Sequence, residues 1–190
     1  MAAPNVEETL DQFAREPRFK GIRLIPDEWQ PLSHGLRALA ERNLPCDVLP
    51  RAGMLPGVVE MLRAHPETRF VVNHLAGQTL IAGGVAPWTE QLRPLAELPN
   101  VWMKCSAIQG LAEPPPISVE TLQPYLDSLL SLFGGQRILF ASDWPVSTLH
   151  GSYADGIAVL RAATASLSRE EQAWIWGRTA ISAYGLTLRL

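Results

Sequence analysis

The chain has 190 residues, with 16 Lys+Arg against 19 Asp+Glu, a formal net charge of −3, and 47% apolar against 18% charged residues. Those values fit a single globular domain over residues 1–190, and a mildly acidic balance without basic runs gives no footprint for nucleic acid or an anionic membrane. No stretch approaches the roughly 20 apolar residues that span a bilayer, the first residues lack a basic and then apolar leader, and Cys46 and Cys105 form no Cys-x-x-Cys pair, so the reading is a reduced, cytoplasmic chain.

In chain order, Val6 to Arg15 has helical spacing, and Gly21-Ile-Arg-Leu-Ile25 is the first strand-like run. Leu32, Leu36, Leu39 and Ala40 then share one helical face. A second strand runs from Cys46 through Asp47, Val48 and Leu49 to Pro50 and Arg51, followed by a helix carrying Leu55, Val58, Val59 and Leu62 with Pro56 in its first turn. Phe70-Val-Val-Asn-His74 is the third strand, Leu92, Leu95 and Ala96 mark a shorter helix, and Val101-Trp-Met-Lys-Cys105 is the fourth strand. Leu122, Leu126, Leu129, Leu130 and Phe133 give the clearest helix, stopped by Gly134-Gly135. The fifth strand is Arg137 to Asp143, and two helices close the chain, the last opened by a Ser168/Glu171 capping box and running through Trp174, Trp176, Ala180 and Tyr184 to Gly185. The strands read as buried more than as alternating.

Strands alternating with helices and few hairpin signals mean parallel pairing in an α/β fold. The strand starts recur about every 29 residues, the unit size of an eight-stranded βα barrel. Eight units do not fit, so the chain is either a smaller open sheet or a barrel without its first three strands. Two loops follow strand ends, a flexible one from Gly77 to Pro87 and a stiff one, Glu113-Pro-Pro-Pro-Ile117; at that edge of a parallel sheet they are candidate rims of a ligand crevice.

Single polar residues sit at or near the C-terminal ends of the apolar strands: Arg23, Arg51, His74, Lys104 and Asp143. Strand C-termini converge, so these groups are candidates for one pocket. Asp143 follows the buried run Ile138-Leu-Phe-Ala141; a partly desolvated carboxylate there suits a general base, and an Asp capping the turn before Pro145 is the equally weighted alternative. His74 suits acid, base or metal-ligand chemistry, against a core histidine bonded to a backbone carbonyl. Lys104 and Arg23 suit anchoring of a substrate carboxylate or carbonyl, against a buried ion pair, for Lys104 one with Asp143. Arg51 reads as a substrate anchor or a surface residue. Of the tryptophans Trp29, Trp88, Trp102, Trp144, Trp174 and Trp176, most fit packing and Trp144 is the pocket-lining candidate. His34 and His65 read as helix surface, and His150 as a loop residue within reach of a pocket rim. No nucleotide-binding glycine motif, nucleophile elbow, His-Glu-x-x-His or His-x-His occurs.

Phe19-Lys-Gly-Ile-Arg23, Val71-Val-Asn-His-Leu75, Val101-Trp-Met-Lys-Cys-Ser106, Phe140-Ala-Ser-Asp-Trp-Pro145 and Thr179-Ala-Ile-Ser-Ala-Tyr-Gly-Leu186 together resemble the amidohydrolase-related (amidohydrolase 2) family, and within it the sugar-lactone and dicarboxylate-lactone hydrolases. The resemblance implies a partial (β/α)8 TIM-type barrel whose five βα units are the last five of eight. It implies hydrolysis of a cyclic ester of a sugar acid or dicarboxylate, with or without a divalent metal such as zinc. Asp143 matches the last-strand aspartate that activates water and His74 an internal-strand histidine; these two are also the metal ligands if a metal binds. Arg23, Lys104, Arg51 and Trp144 are the substrate-binding candidates for an anionic or polyhydroxylated small molecule. The family's first-strand His-x-His has no counterpart here, so the alternative is a catalytically impaired barrel fragment that acts as, or requires, an association partner, with self-association through open sheet edges.

Overall fold

The computed structural model describes every residue except 2, 26–31, 52, 82 and 188–190; Trp29 therefore lies outside the described residues. The elements in order are α1 (Val6–Ala14), β1 (Ile22–Leu24), α2 (Ser33–Glu41), β2 (Cys46–Val48), α3 (Leu55–Arg63), β3 (Phe70–Val72), β4 (Leu80–Ile81), α4 (Val85–Ala96), β5 (Val101–Cys105), α5 (Ile108–Leu111), β6 (Ala112–Glu113), α6 (Val119–Phe133), β7 (Ile138–Phe140), α7 (Tyr153–Ala163), α8 (Arg169–Ala173) and α9 (Thr179–Tyr184). A π-helical turn, Trp174–Arg178, joins α8 to α9.

β1, β2, β3, β5 and β7 form a parallel sheet in that spatial order. Each strand lies beside its predecessor and the order never reverses. A doubly wound sheet would reverse at a switch point; this unreversed succession is the one that an arc of a βα barrel has. Among the described residues β1 and β7 each pair on one side only.

The helical spacing places the main core outside this arc. Leu36 and Leu39 of α2, Val58 and Leu62 of α3, Leu92 and Leu95 of α4, and Leu122, Leu126 and Leu129 of α6 are fully buried against Cys46, Val48, Phe70, Val72, Val101, Met103 and Ile138. A smaller cluster lies on the opposite, inner face, where Val71, Trp102 and Leu139 pack against Ala180, Ala183 and Tyr184 of α9. The terminal helix thus covers part of the inner face.

Several sequence expectations are corrected. The strands are shorter than the apolar runs: Arg137 belongs to a 3-10 turn, Gly135–Arg137, and His74 to a turn, His74–Gly77. The strands also differ in burial. β3 is buried on both faces, whereas β5 alternates, with Val101, Met103 and Cys105 buried and Trp102 and Lys104 partly exposed, because only α9 covers its inner side. The flexible loop at Gly77 to Pro87 contains β4 and the start of α4, which reaches back to Val85 because Pro87 lies in its first turn, where a missing N–H costs nothing. β4 pairs in parallel with β6, at the start of the stiff Pro-rich loop. The end of α6 at Gly134, with φ of +68°, and the Ser168/Glu171 capping box are as the sequence indicates.

Candidate functional site

Strand alternation sets the site. In the register Arg23↔Asp47↔Val71↔Trp102, four neighbouring strands place these residues side by side, and Lys104↔Leu139 lies one inward step further along. Val71, Trp102 and Leu139 belong to the inner cluster, so Asp47 and Lys104 are on that face as well. A charged pair there needs mutual compensation, and it has it: Lys104 Nζ donates to Asp47 Oδ2 at 2.5 Å. Asp47 Oδ1 accepts from Tyr184 Oη at 2.6 Å, and the ammonium lies 5.6 Å from the Tyr184 ring centroid. Burial, then the Asp47 charge and its hydrogen bond, push the Tyr184 hydroxyl well above its ordinary pKa, so it stays a donor.

Beyond the strand ends lie His74 and Asp143. His74 Nε2 is 3.6 Å from Asp143 Oδ1, and the side chains are 15% and 19% exposed. His74 Nδ1 shares a 2.8 Å hydrogen bond with Ser106 Oγ, just past β5. Burial holds the His74 imidazole below its ordinary pKa; Asp143 opposes the shift, Lys104 and Arg23 reinforce it, and Asp47 opposes it. Near neutral pH His74 is therefore uncharged. Both residues occupy left-handed backbone, His74 at φ +54° and Asp143 at φ +57°, and Leu75 and Ala76 continue the left-handed turn at +52° and +60°. Non-glycine residues in that region cost of order 1–3 kcal/mol each and concentrate at functional sites. The turn after Asp143 is bonded through its backbone carbonyl, which accepts from Ser147 N–H at 2.9 Å, and His74 bonds the Ser106 hydroxyl.

Lys104 pairs with Asp47, not with Asp143. Arg23 is exposed on β1, level with Asp47, and Arg51 is an exposed residue of the loop after β2. Trp144 is 67% exposed and, with Ser142 and Tyr153, borders an open cavity of about 420 Å³. His65 is buried but structural, bonded to Ser33 Oγ and Glu67; His34 pairs with Glu7 at the surface; the exposed His150 ring lies against Gly110. A cavity of about 620 Å³ lined by Leu55, Pro56, Val59, Gln78, Gln91 and Pro94 lies between α3 and α4. The residues that sequence reasoning passed over are Asp47, Ser106 and Tyr184. Asp47 carried a signal, a lone carboxylate inside an apolar strand; Tyr184 carried none, since its partner is 137 positions away.

His74 and Asp143 would offer a metal two donors. A catalytic zinc normally takes three protein ligands, and among the described residues no group of three His, Cys, Asp or Glu side chains converges. The described donor set does not fit a zinc centre.

A sequence profile described as Amidohydrolase (Amidohydro_2) matches residues 1–186. An L-fucono-1,5-lactonase of Burkholderia ambifaria is 33% identical over 154 residues, 77% of this chain and 53% of that protein. An L-fucono-1,5-lactonase of Burkholderia multivorans is 34% identical over 210 aligned positions, 98% of this chain and 69% of that protein. A crystal structure of a zinc-bound amidohydrolase from Burkholderia multivorans superposes with a TM-score of 0.89 at 28% identity, covering 97% of this chain and 70% of that one. The chain thus spans about half the length of the first of these relatives and about seven tenths of the others.

Proposed function

The chain belongs to the Amidohydro_2 family of amidohydrolases, and from that membership we propose that its site serves lactone hydrolysis, with Asp143 as general base and His74 as the neutral electrophile. The observation that carries the reading is the 3.6 Å approach of His74 Nε2 to Asp143 Oδ1 at the strand mouth. That separation is too long for a good direct hydrogen bond and suits two groups acting on the same bound water and carbonyl.

In the proposed reaction Asp143 takes a proton from water as the water oxygen bonds to the lactone carbonyl carbon. The carbonyl π pair moves onto its oxygen. In the tautomer with Ser106 Oγ–H donating to Nδ1, His74 Nε2 carries the ring proton and donates it as a hydrogen bond to that developing charge. The ring C–O bond then breaks, and the Asp143 carboxyl returns its proton to the departing alkoxide, giving a hydroxy acid. Lys104, Arg23, Arg51 and Trp144 are the proposed substrate-contacting residues. No step runs through a metal.

The test is hydrolysis of sugar-acid 1,5-lactones by the purified chain, followed by pH-stat, with and without Zn²⁺ or Mn²⁺. Catalysis that disappears in Asp143→Asn supports the reading; background rates under every condition overturn it. The second reading, a fragment requiring a partner, is favoured by the one-sided pairing of β1 and β7 and by the exposed Trp144, Val146 and Leu149 after β7. Sedimentation velocity separates the two: an inactive species that associates supports the partner reading, an active monomer excludes it.

A further inference from the structure

We infer that Asn73 and Lys104 form a subsite for a substrate hydroxyl beside the His74–Asp143 pair, so that the site selects hydroxylated lactone rings over bare ones. The inference rests on the lactone reading above and names the class of lactone accepted.

Asn73 continues β3 in extended conformation, φ −83° and ψ 151°, so strand alternation carries through it. Val72 belongs to the outer core and Val71 to the inner cluster; Asn73 is therefore on the inner face. The register Val72↔Met103 sets Asn73 next to Lys104, one inter-strand spacing of about 4.8 Å away. Asn73 is 2% exposed, yet its Oδ1 has no hydrogen-bond partner among the described residues. Buried acceptors without a donor are rare and point to a group supplied from elsewhere.

Lys104 brings the complementary half. An ammonium has three N–H donors, and among the described residues its hydrogen-bond partner is Asp47 alone. Both Asp47 oxygens are already engaged, one by Lys104 and one by Tyr184. The lysine charge is thus compensated in place, and a ligand carboxylate there would set a second negative charge beside Asp47. It would also have no proton for Asn73 Oδ1. A hydroxyl meets both needs: its oxygen accepts from a remaining Lys104 N–H and its proton goes to Asn73.

The experiment compares D-glucono-1,5-lactone with δ-valerolactone, the same ring without hydroxyls, by short-time calorimetric titration and by pH-stat rates, on the wild type and on Asn73→Leu. The wild type is expected to bind the hydroxylated ring about ten-fold more tightly or better, since a site built to bond a hydroxyl discriminates strongly against its absence. Asn73→Leu should abolish that preference and keep or raise the unfolding midpoint, because it removes an unpaired acceptor. Equal affinities in the wild type, or an undiminished preference in the variant, overturn the inference. If the leucine variant does not fold, Asn73→Ala and the wild-type comparison decide it. Hydrolysis of both rings without preference sinks the subsite and leaves the lactone reading standing; preference without hydrolysis does the reverse.

Discussion

Tyr184 Oη donates to Asp47 Oδ1 at 2.6 Å across 137 positions of sequence, and this bond holds the terminal helix to the middle of the second strand on the inner face. Tyr184→Phe leaves that oxygen without its donor in a largely buried setting and should cost about 1–3 kcal/mol, read from urea midpoints. Asp47→Leu should cost more, about 3–5 kcal/mol, because the ammonium of Lys104, whose side chain is 13% exposed, loses its counter-charge. Adding Lys104→Met to Asp47→Leu should recover most of that loss, and a double mutant no more stable than Asp47→Leu alone would show that the pair is not coupled.

Asp143→Asn keeps the shape of the side chain and removes its capacity to accept a proton. Lactone turnover should fall by about 10²–10⁴. The unfolding midpoint should stay near that of the wild type, since the turn after Asp143 is bonded through its backbone carbonyl. A loss of turnover accompanied by an equal loss of folded protein would assign the residue a structural role instead.

The left-handed turn after β3 makes a prediction about backbone chemistry. Gly77 has φ of +71°, and a Cβ there would sit 2.6 Å from the Pro50 carbonyl oxygen. Gly77→Ala should therefore destabilise by more than about 1 kcal/mol and disturb His74 with it. Ala76, at φ +60°, is the converse case: glycine releases the left-handed strain at the cost of a more flexible unfolded chain, so Ala76→Gly should be neutral or stabilising within about 1 kcal/mol.

The depressed His74 pKa sets a sign for pH dependence. In the unfolded chain a histidine gains its proton near pH 6.5, whereas in the folded protein burial resists that proton. The unfolded state thus binds more protons below about pH 6.5, and stability is complete above that value and falls as pH drops through the folded pKa. Denaturant titrations from pH 7.5 to 5 should show the decline, and His74→Asn, which tolerates the left-handed backbone, should flatten it.

Cys46 on β2 and Cys105 on β5, with β3 between them, are buried free thiols on the sheet's outer face. Burial pushes the Cys105 thiol up to about 12 and the Cys46 thiol higher, with Asp47 adding to the Cys46 shift. A thiol reagent at pH 8 should therefore leave the native protein unmodified and titrate two groups after unfolding, since only the thiolate reacts. Fast native-state reaction of either would contradict this packing.

The sequence by itself determined the βα alternation, the five apolar runs that become the sheet, and the polar residues His74, Lys104 and Asp143 at their ends. These are local properties: an apolar period and a polar interruption can be read within a few residues. Even the ends of α6 and α8 were local, a glycine stop and a capping box. Only the tertiary structure decided that the strand order never reverses, that Lys104 answers Asp47 and not Asp143, that Ser106 holds His74, and that Tyr184 returns to the second strand. Each of these is a meeting of residues far apart in the chain. Which charges and hydroxyls become partners depends on register and on which face of the sheet a side chain takes, and a one-residue slip in either would exchange every neighbour.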